Sequence, residues 1–242
     1  QFSKFLFCLN KICTDIRIEV RESVVELFQK NILNLKTYKK GSNSNSNCDY
    51  KISFASLNNF FYENKNKQEK KLFKIEQGTI LKWSKKITSK KLKVGLTWSG
   101  SLHGVNEPFR SIELDKLKKI LSLDCEFFCL QKDIWERDKK YFKDSKINYL
   151  GDNNFLEIAA IIENLDLVIS TDTSTLHLSS TLEKLTWGLI SFNPEWRWWM
   201  YNKPAFYKNL IEYKQIKFNN WNNVLDDVYL DLKKLIEEKK SH

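Results

Sequence analysis

From Leu92 onward the chain alternates short apolar runs with amphipathic stretches, and few folds can satisfy that pattern. LKVGLTWS, CEFFCLQ, INYLG, LDLVIST and LTWGLIS have the length and apolar density of buried strands. Between them, Leu114, Leu117, Ile120 and Leu121 recur at helical spacing, as do Phe155, Ile158, Ala159, Ile162 and Leu165. Trp221, Val224, Leu225, Val228, Leu232 and Leu235 predict a closing amphipathic helix. A strand that is apolar along its whole length must be covered on both faces, and the intervening helices supply the cover. The expectation is an α/β fold with a parallel sheet. Ligands in such sheets bind beyond the carboxyl ends of the strands, so the loops after Ser99, Gln131 and Ser170 become the places to look.

The amino-terminal third is less regular. DIRIEV (Asp15 to Val20) alternates as a strand does, SVVELF follows with helical spacing, and YKISFAS reads as a second strand. Between them Gly41 to Asn47 is a low-complexity Ser/Asn tract that reads as a flexible insertion. Residues 62–91 are highly charged with a thin apolar stripe at Leu81, Trp83 and Ile87, and read as a linker containing helix.

Composition narrows the function classes. No stretch approaches the roughly 18 uninterrupted apolar residues of a membrane helix, since even Phe155 to Ser170 carries Glu157, Glu163 and Asp166. No secretory signal is visible. Forty Lys and Arg against thirty Asp and Glu give a formal charge of +10, which favours polyanionic partners: nucleic acid, an anionic membrane surface, or phosphorylated substrates. The charge is dispersed rather than gathered on one helix, so most of it reads as ordinary solvated surface. Cys8, Cys13, Cys48, Cys125 and Cys129 form no CxxC pair and read as buried free thiols of a reducing compartment. His103, His177 and His242 have no metal-ligand spacing.

Two loops carry the chemistry. Leu165 to Leu182, LDLVISTDTSTLHLSSTL, is a buried strand ending in Ser170-Thr171-Asp172-Thr173-Ser174-Thr175 and turning into a helix that bears His177. Unpaired amides at a helix start, with hydroxyls beside them, attract an anion such as phosphate. An ordinary Ser/Thr-rich helix cap would look the same. WSGSLHGVNEPFRS (Trp98 to Ser111) occupies the equivalent place after the first strand and offers Ser99, Gly100, Ser101, His103, Asn106 and Arg110. Two of only seven glycines, Gly100 and Gly104, fall in this loop, and Arg110 can clamp phosphate oxygens bidentately. The loop is neither a Walker motif nor GxGxxG.

In order, KVGLTWSGSLHGVNEPFRSIEL, FFCLQK, DLVISTDTSTLHLSSTL and FNPEWRWW resemble the carboxyl-terminal half of heptosyltransferase-like (glycosyltransferase family 9-like) enzymes, which bacteria often fuse to tetratricopeptide repeats. The likeness covers about residues 92–235 and extends more weakly back to Asp15. It implies a GT-B-like fold. Residues 1–75 would be a partial amino-terminal, acceptor-side Rossmann-like domain, 76–91 a linker with helix, and 92–242 a complete nucleotide-sugar-binding Rossmann-like domain.

By position, the resemblance implies that Thr173 and Ser174 hold the donor diphosphate and that Asp172 faces the sugar hydroxyls. Ser99, Gly100, His103 and Arg110 would approach from the opposite loop, and Gln131 would lie near the ribose or base. Arg110 and His177 are the catalytic candidates, with no metal or cofactor. Trp196, Trp198 and Trp199 fall in the family's aromatic segment, read first as packing at the sheet edge or interdomain seam. The chain departs from the family at Glu183-Lys184-Leu185, where relatives commonly carry Gly and Pro, and it is read as starting just after the family's opening strand and loop.

The implied activity is transfer of a sugar from a nucleotide-diphosphate-sugar to a hydroxyl of a glycan, lipid-linked or protein acceptor, in the cytoplasm and at its membrane face. The competing expectation is a non-catalytic nucleotide-sugar-binding or interaction module. Nucleic-acid binding ranks last, because the aromatics follow strand and core patterns rather than an RNP-like motif.

Overall fold

The computed structural model describes residues 2–32, 35–42, 48–61, 72–101, 107–195, 198 and 207–241. Leaving aside short helical turns such as Phe2–Phe5, Leu6–Leu9 and Leu57–Phe61, chain order begins with β1 (Ile16–Val20), α1 (Glu22–Asn31), β2 (Leu35–Lys39) and α2 (Gln77–Ser84). It continues with β3 (Leu92–Thr97), β4 (Cys125–Cys129), α3 (Glu136–Asp144), β5 (Ile147–Tyr149) and α4 (Phe155–Glu163). The last elements are β6 (Leu167–Thr171), α5 (Ser174–Thr181), β7 (Thr186–Ile190), β8 (Leu210–Lys214) and α6 (Asn222–Lys240).

β1 and β2 pair in parallel, from Ile16↔Leu35 to Val20↔Lys39, with α1 as the crossover. The remaining strands form one six-stranded sheet in the order β5-β4-β3-β6-β7-β8, every neighbour parallel. Taken in sequence from β3, that is the Rossmann order 3-2-1-4-5-6, with its switch point between β3 and β6. One face of the sheet packs Val94, Leu96, Leu167 and Ile169 against Leu114, Leu117 and Ile120 and against Val224, Val228 and Leu232 of α6. The other face packs Phe128, Leu130 and Val168 against Ala159, Ile161 and Ile162 of α4. Leu27 and Phe28 of α1 and Trp83 of α2 join this second cluster, so the amino-terminal unit is seated on α4. Glu157 of α4 reinforces the seam by accepting from the Trp83 indole and from Lys82 Nζ at 2.9 Å.

Gly95 explains how β3 fits between its neighbours. A Cβ at that position would lie 2.5 Å from Leu130 Cδ1 and 2.7 Å from Leu165 Cδ1, so only glycine lets both leucines close over the strand.

The amino-terminal edge of the sheet is latched by charge. Asp166 accepts from the Lys93 amide at 2.8 Å and from Lys239 Nζ of α6 at 2.7 Å. Asp124 binds Lys240 at 2.8 Å and Lys91 at 2.9 Å.

The structure revises several sequence expectations. YKISFAS is irregular, with Tyr50 93% exposed, and the second strand is Leu35–Lys39. α3 and β8 were unmarked by the periodicity. Cys13 and Cys48 are exposed, Cys8 and Cys125 half-buried, and only Cys129 is buried; none is joined in a disulfide. Burial pushes the Cys125 and Cys129 thiols up to about 12, so both stay protonated. Much of the Ser/Asn tract and of the charged linker, residues 43–47 and 62–71, lies outside the described residues. Among the described residues, no helix is long and apolar enough to cross a membrane.

The turn after α5 has a physical oddity. The Glu183 amide donates to Ser180 O at 3.1 Å and the Lys184 amide to Ser179 O at 3.0 Å, a Schellman cap. Its left-handed position, φ 60°, is filled by Glu183 where glycine is favoured. A non-glycine residue there costs roughly 1–2 kcal/mol, partly offset by glycine's own entropy loss. Glu183→Gly is therefore expected to raise the unfolding free energy by about 0.5–1 kcal/mol, read as a higher denaturation midpoint at unchanged m-value.

A second prediction concerns acid. Partial burial opposes ionisation of Asp166, but Lys239 and the Lys93 amide outweigh it and hold its pKa below the ordinary carboxylate value. Lys240 and Lys91 hold that of Asp124 at about 2. A lowered folded pKa contributes stability that is complete above the unfolded value, near 4, and is lost as pH falls through the folded one. Melting temperature should fall below about pH 4. Asp166→Asn should melt lower at pH 7 and show a shallower acid decline, measured by circular dichroism.

Candidate functional site

β3 and β6 pair as far as Thr97↔Ser170, so the chain leaves the sheet side by side at Trp98 and at Asp172. The first loop is held by its own side chains. Gln131, after β4, accepts from the Trp98 and Ser99 amides through Oε1 at 3.2 and 2.9 Å. Its Nε2 donates to Ser99 Oγ at 2.6 Å and to Asp133 O at 2.7 Å. Gln131 and Ser99 are both buried, and their polar atoms bind each other and the backbone.

Asp138, in the first turn of α3 and only 1% exposed, accepts from Trp98 Nε1 at 3.0 Å and from the Leu114 amide at 2.9 Å. These two donors, with Arg137 Nε 3.9 Å from Oδ2, offset the cost of burying the carboxylate. The Ile112 amide donates to Trp98 O at 2.8 Å, and Trp135 Nε1 to Gly100 O at 3.1 Å. The loop departing at Trp98 therefore returns to Trp98, and Arg110 precedes that closure by two residues.

Arg110 reaches across the crevice, with Nη1 donating to Asp172 O at 2.9 Å. Beyond Asp172, Thr173 is the N-cap of α5 in extended conformation, and its side chain caps no amide; Thr173 Oγ1 meets Ser170 Oγ at 3.0 Å. Ser174 is exposed at the first helical position. The first-turn amides of α5 thus open beside an exposed hydroxyl and a guanidinium, an arrangement suited to an anion.

The Asp172 carboxylate, 5% exposed, accepts from Trp198 Nε1 through Oδ2 at 2.8 Å. Its Oδ1 lies 3.4 Å from His177 Nε2, longer than a good hydrogen bond. His177 Nδ1 is 3.2 Å from the Tyr207 hydroxyl, and the Trp198 ring stacks on the imidazole at 6.1 Å.

Arg110, Asp172, Thr173, Ser174 and His177 therefore gather at one mouth of the switch point, while Ser99, Gly100 and Gln131 form the tied loop beside it. His103, with Gly104 and Asn106, lies outside the described residues, as do Trp196 and Trp199. Sequence reasoning missed Asp138, Trp135 and Tyr207. Tyr207 meets His177 from 30 residues away, and nothing in its neighbouring sequence marks it. Among the described residues, no group of three or more His, Cys, Asp and Glu could hold a metal ion.

No family model matches the sequence, and no curated protein matches it. Solved structures do. The glycosyltransferase family 9 structure from Veillonella parvula aligns with a TM-score of 0.66 at 11% identity, over 98% of this chain and 93% of its own. The ADP-heptose LPS heptosyltransferase II of E. coli aligns at 0.45 and 9% identity, over 69% of this chain and 54% of its own. E. coli heptosyltransferase WaaC, solved with ADP, aligns at 0.42 and 15% identity, over 80% and 52%. With parallel sheets flanked by helices along nearly its whole length, the chain has the α/β fold of that family 9 glycosyltransferase.

Proposed function

We propose that the chain transfers a sugar from a nucleotide-diphosphate donor to an acceptor hydroxyl without a metal ion. The observation that carries the reading is the meeting of Arg110 with the uncapped start of α5 at the switch point of a Rossmann-ordered sheet. The departing diphosphate is the difficult charge in such a transfer. The α5 amides, the Ser174 and Thr173 hydroxyls and the Arg110 guanidinium are donors that could stabilise it. Asp172 offers acceptors to sugar hydroxyls. Ser99, Gly100 and Gln131 keep the facing loop in shape rather than touching the donor. The fold shared with a family 9 glycosyltransferase supports the reading. Residues 1–75 would face the acceptor, a glycan, lipid-linked or protein hydroxyl, and residues 92–242 the donor. A cytoplasmic site at an anionic membrane surface fits the +10 charge.

The test is a thermal-shift and calorimetric screen against ADP-, UDP-, GDP- and CMP-sugars. One base should stabilise the wild type by mass action. Arg110→Ala, with an unchanged circular dichroism spectrum, should weaken that binding by roughly 10- to 100-fold, the worth of one hydrogen bond to a charged group. Turnover should fall by about a hundred- to a thousandfold. Equal donor affinity in Arg110→Ala and wild type would remove Arg110 from the site. A non-catalytic binding module would show the same affinities with no transfer to any acceptor.

A further inference from the structure

His177 has a polar neighbour at each edge of its ring. Nε2 faces Asp172 Oδ1 at 3.4 Å, and Nδ1 faces the Tyr207 hydroxyl at 3.2 Å. An ionised carboxylate only accepts, so a bare Nε2 lone pair pointing at it would be repelled; the proton belongs on Nε2. In the neutral imidazole Nδ1 is then an acceptor, and the Tyr207 hydroxyl donates to it. Trp198 acts twice on the same pair. Its ring lies over the imidazole with 17° between the planes, and its Nε1 donates to Asp172 Oδ2 at 2.8 Å. The side chains are poorly accessible, 14% for His177 and 7% for Asp172, so these partners rather than water set their orientation.

We propose that Tyr207 and Trp198 are positioning residues for a Tyr207–His177–Asp172 chain, in which His177 orients Asp172 and does not itself exchange a proton with substrate. Tyr207 fixes the Nε2–H tautomer. Trp198 fixes the imidazole plane and the second carboxylate oxygen. Asp172 is thereby held from two sides. The purpose of the chain rests on the donor-site reading, whereas its geometry does not. His177 thus moves from a catalytic candidate to a residue acting through Asp172.

The experiment reads the tautomer directly, from long-range proton–nitrogen correlation spectra of the uniformly ¹⁵N-labelled full chain near pH 7.5. With only three histidines in the sequence, His103→Asn and His242→Asn assign His177 by elimination. The wild type should show an unprotonated Nδ1 and a protonated Nε2. Tyr207→Phe, which keeps the ring and loses the hydroxyl, should shift the Nδ1 resonance and admit the other tautomer. Asp172→Asn should move the Trp198 indole N–H and the His177 Nε2 resonances together, with Trp198→Phe assigning the indole signal. A protonated Nδ1 in the wild type, or resonances unmoved in both Tyr207→Phe and Asp172→Asn, would overturn the proposal. The wild-type spectrum alone decides it should a variant fail to fold. A chain that shows these signatures but binds no nucleotide-sugar would remove the donor reading while leaving the positioning chain intact.

Discussion

The pairing of β3 with β6 is the constraint from which the site follows. These strands are neighbours in space but separated in sequence by β4 and β5, and their following segments leave toward opposite faces. Leu114 and Leu117 pack on one side of the sheet, while Leu178 and Leu182 at the end of α5 pack on the other. Two chains diverging from adjacent strand ends must leave a crevice between them, and no insertion is needed to make it. The pairing tolerates little disturbance. Val94, Leu167 and Val168 are fully buried, and Gly95 leaves no room for a methyl group. Register therefore passes directly into site geometry, because Thr97↔Ser170 fixes where Trp98 and Asp172 emerge.

Carboxylates do different work at the two ends of the sheet. At the amino-terminal edge, Asp124 and Asp166 face Lys239 and Lys240 of α6 and Lys91 just before β3 in exposed or half-exposed pairs, whose contribution is present at neutral pH and lost in acid. At the carboxyl-terminal edge, Asp138 is buried and bound by an indole and a backbone amide. Removing either donor would leave a buried charge under-satisfied, which is why such an arrangement specifies loop shape strongly. Through Trp98 it holds the segment that closes at Ile112, and so places Arg110.

Much of this was legible in the sequence, and the exceptions have physical causes. β3, β4, β6 and β7 announced themselves because strands buried on both faces are apolar throughout. β2 did not, since only Thr37 of LKTYK is buried, whereas the irregular and mostly exposed YKISFAS happens to alternate. α3, ERDKKYFKD, escaped notice because its fully buried residue is Asp138, a charge that helical periodicity of apolar residues cannot find. The loops after Ser99 and Ser170 were identified from their polar residues, yet the roles inside them divided in a way composition cannot reveal. Gln131 and Arg110 are equally plausible ligand groups on paper. Only the fold shows that Gln131 accepts from two successive backbone amides, while Arg110 donates to a backbone carbonyl.

The placement of Asp172 bears on how a donor would lie. A carboxylate next to a diphosphate repels it, and the Asp172 carboxylate has Trp198 and His177 at its oxygens. Yet its own carbonyl holds Arg110, so the negative group and the cation are parts of one assembly rather than separate features. The conflict resolves if the two ends of the ligand are divided between them. The phosphates would meet the α5 amides, Ser174 and Arg110, and the neutral sugar hydroxyls would meet the carboxylate, where an acceptor is useful and repulsion is absent. Reversing the ligand would bring phosphate against Asp172 and leave the helix start facing hydroxyls, so electrostatics alone favours one direction. Under the proposed reading, the sugar then points past Asp172, and the acceptor must approach from that side.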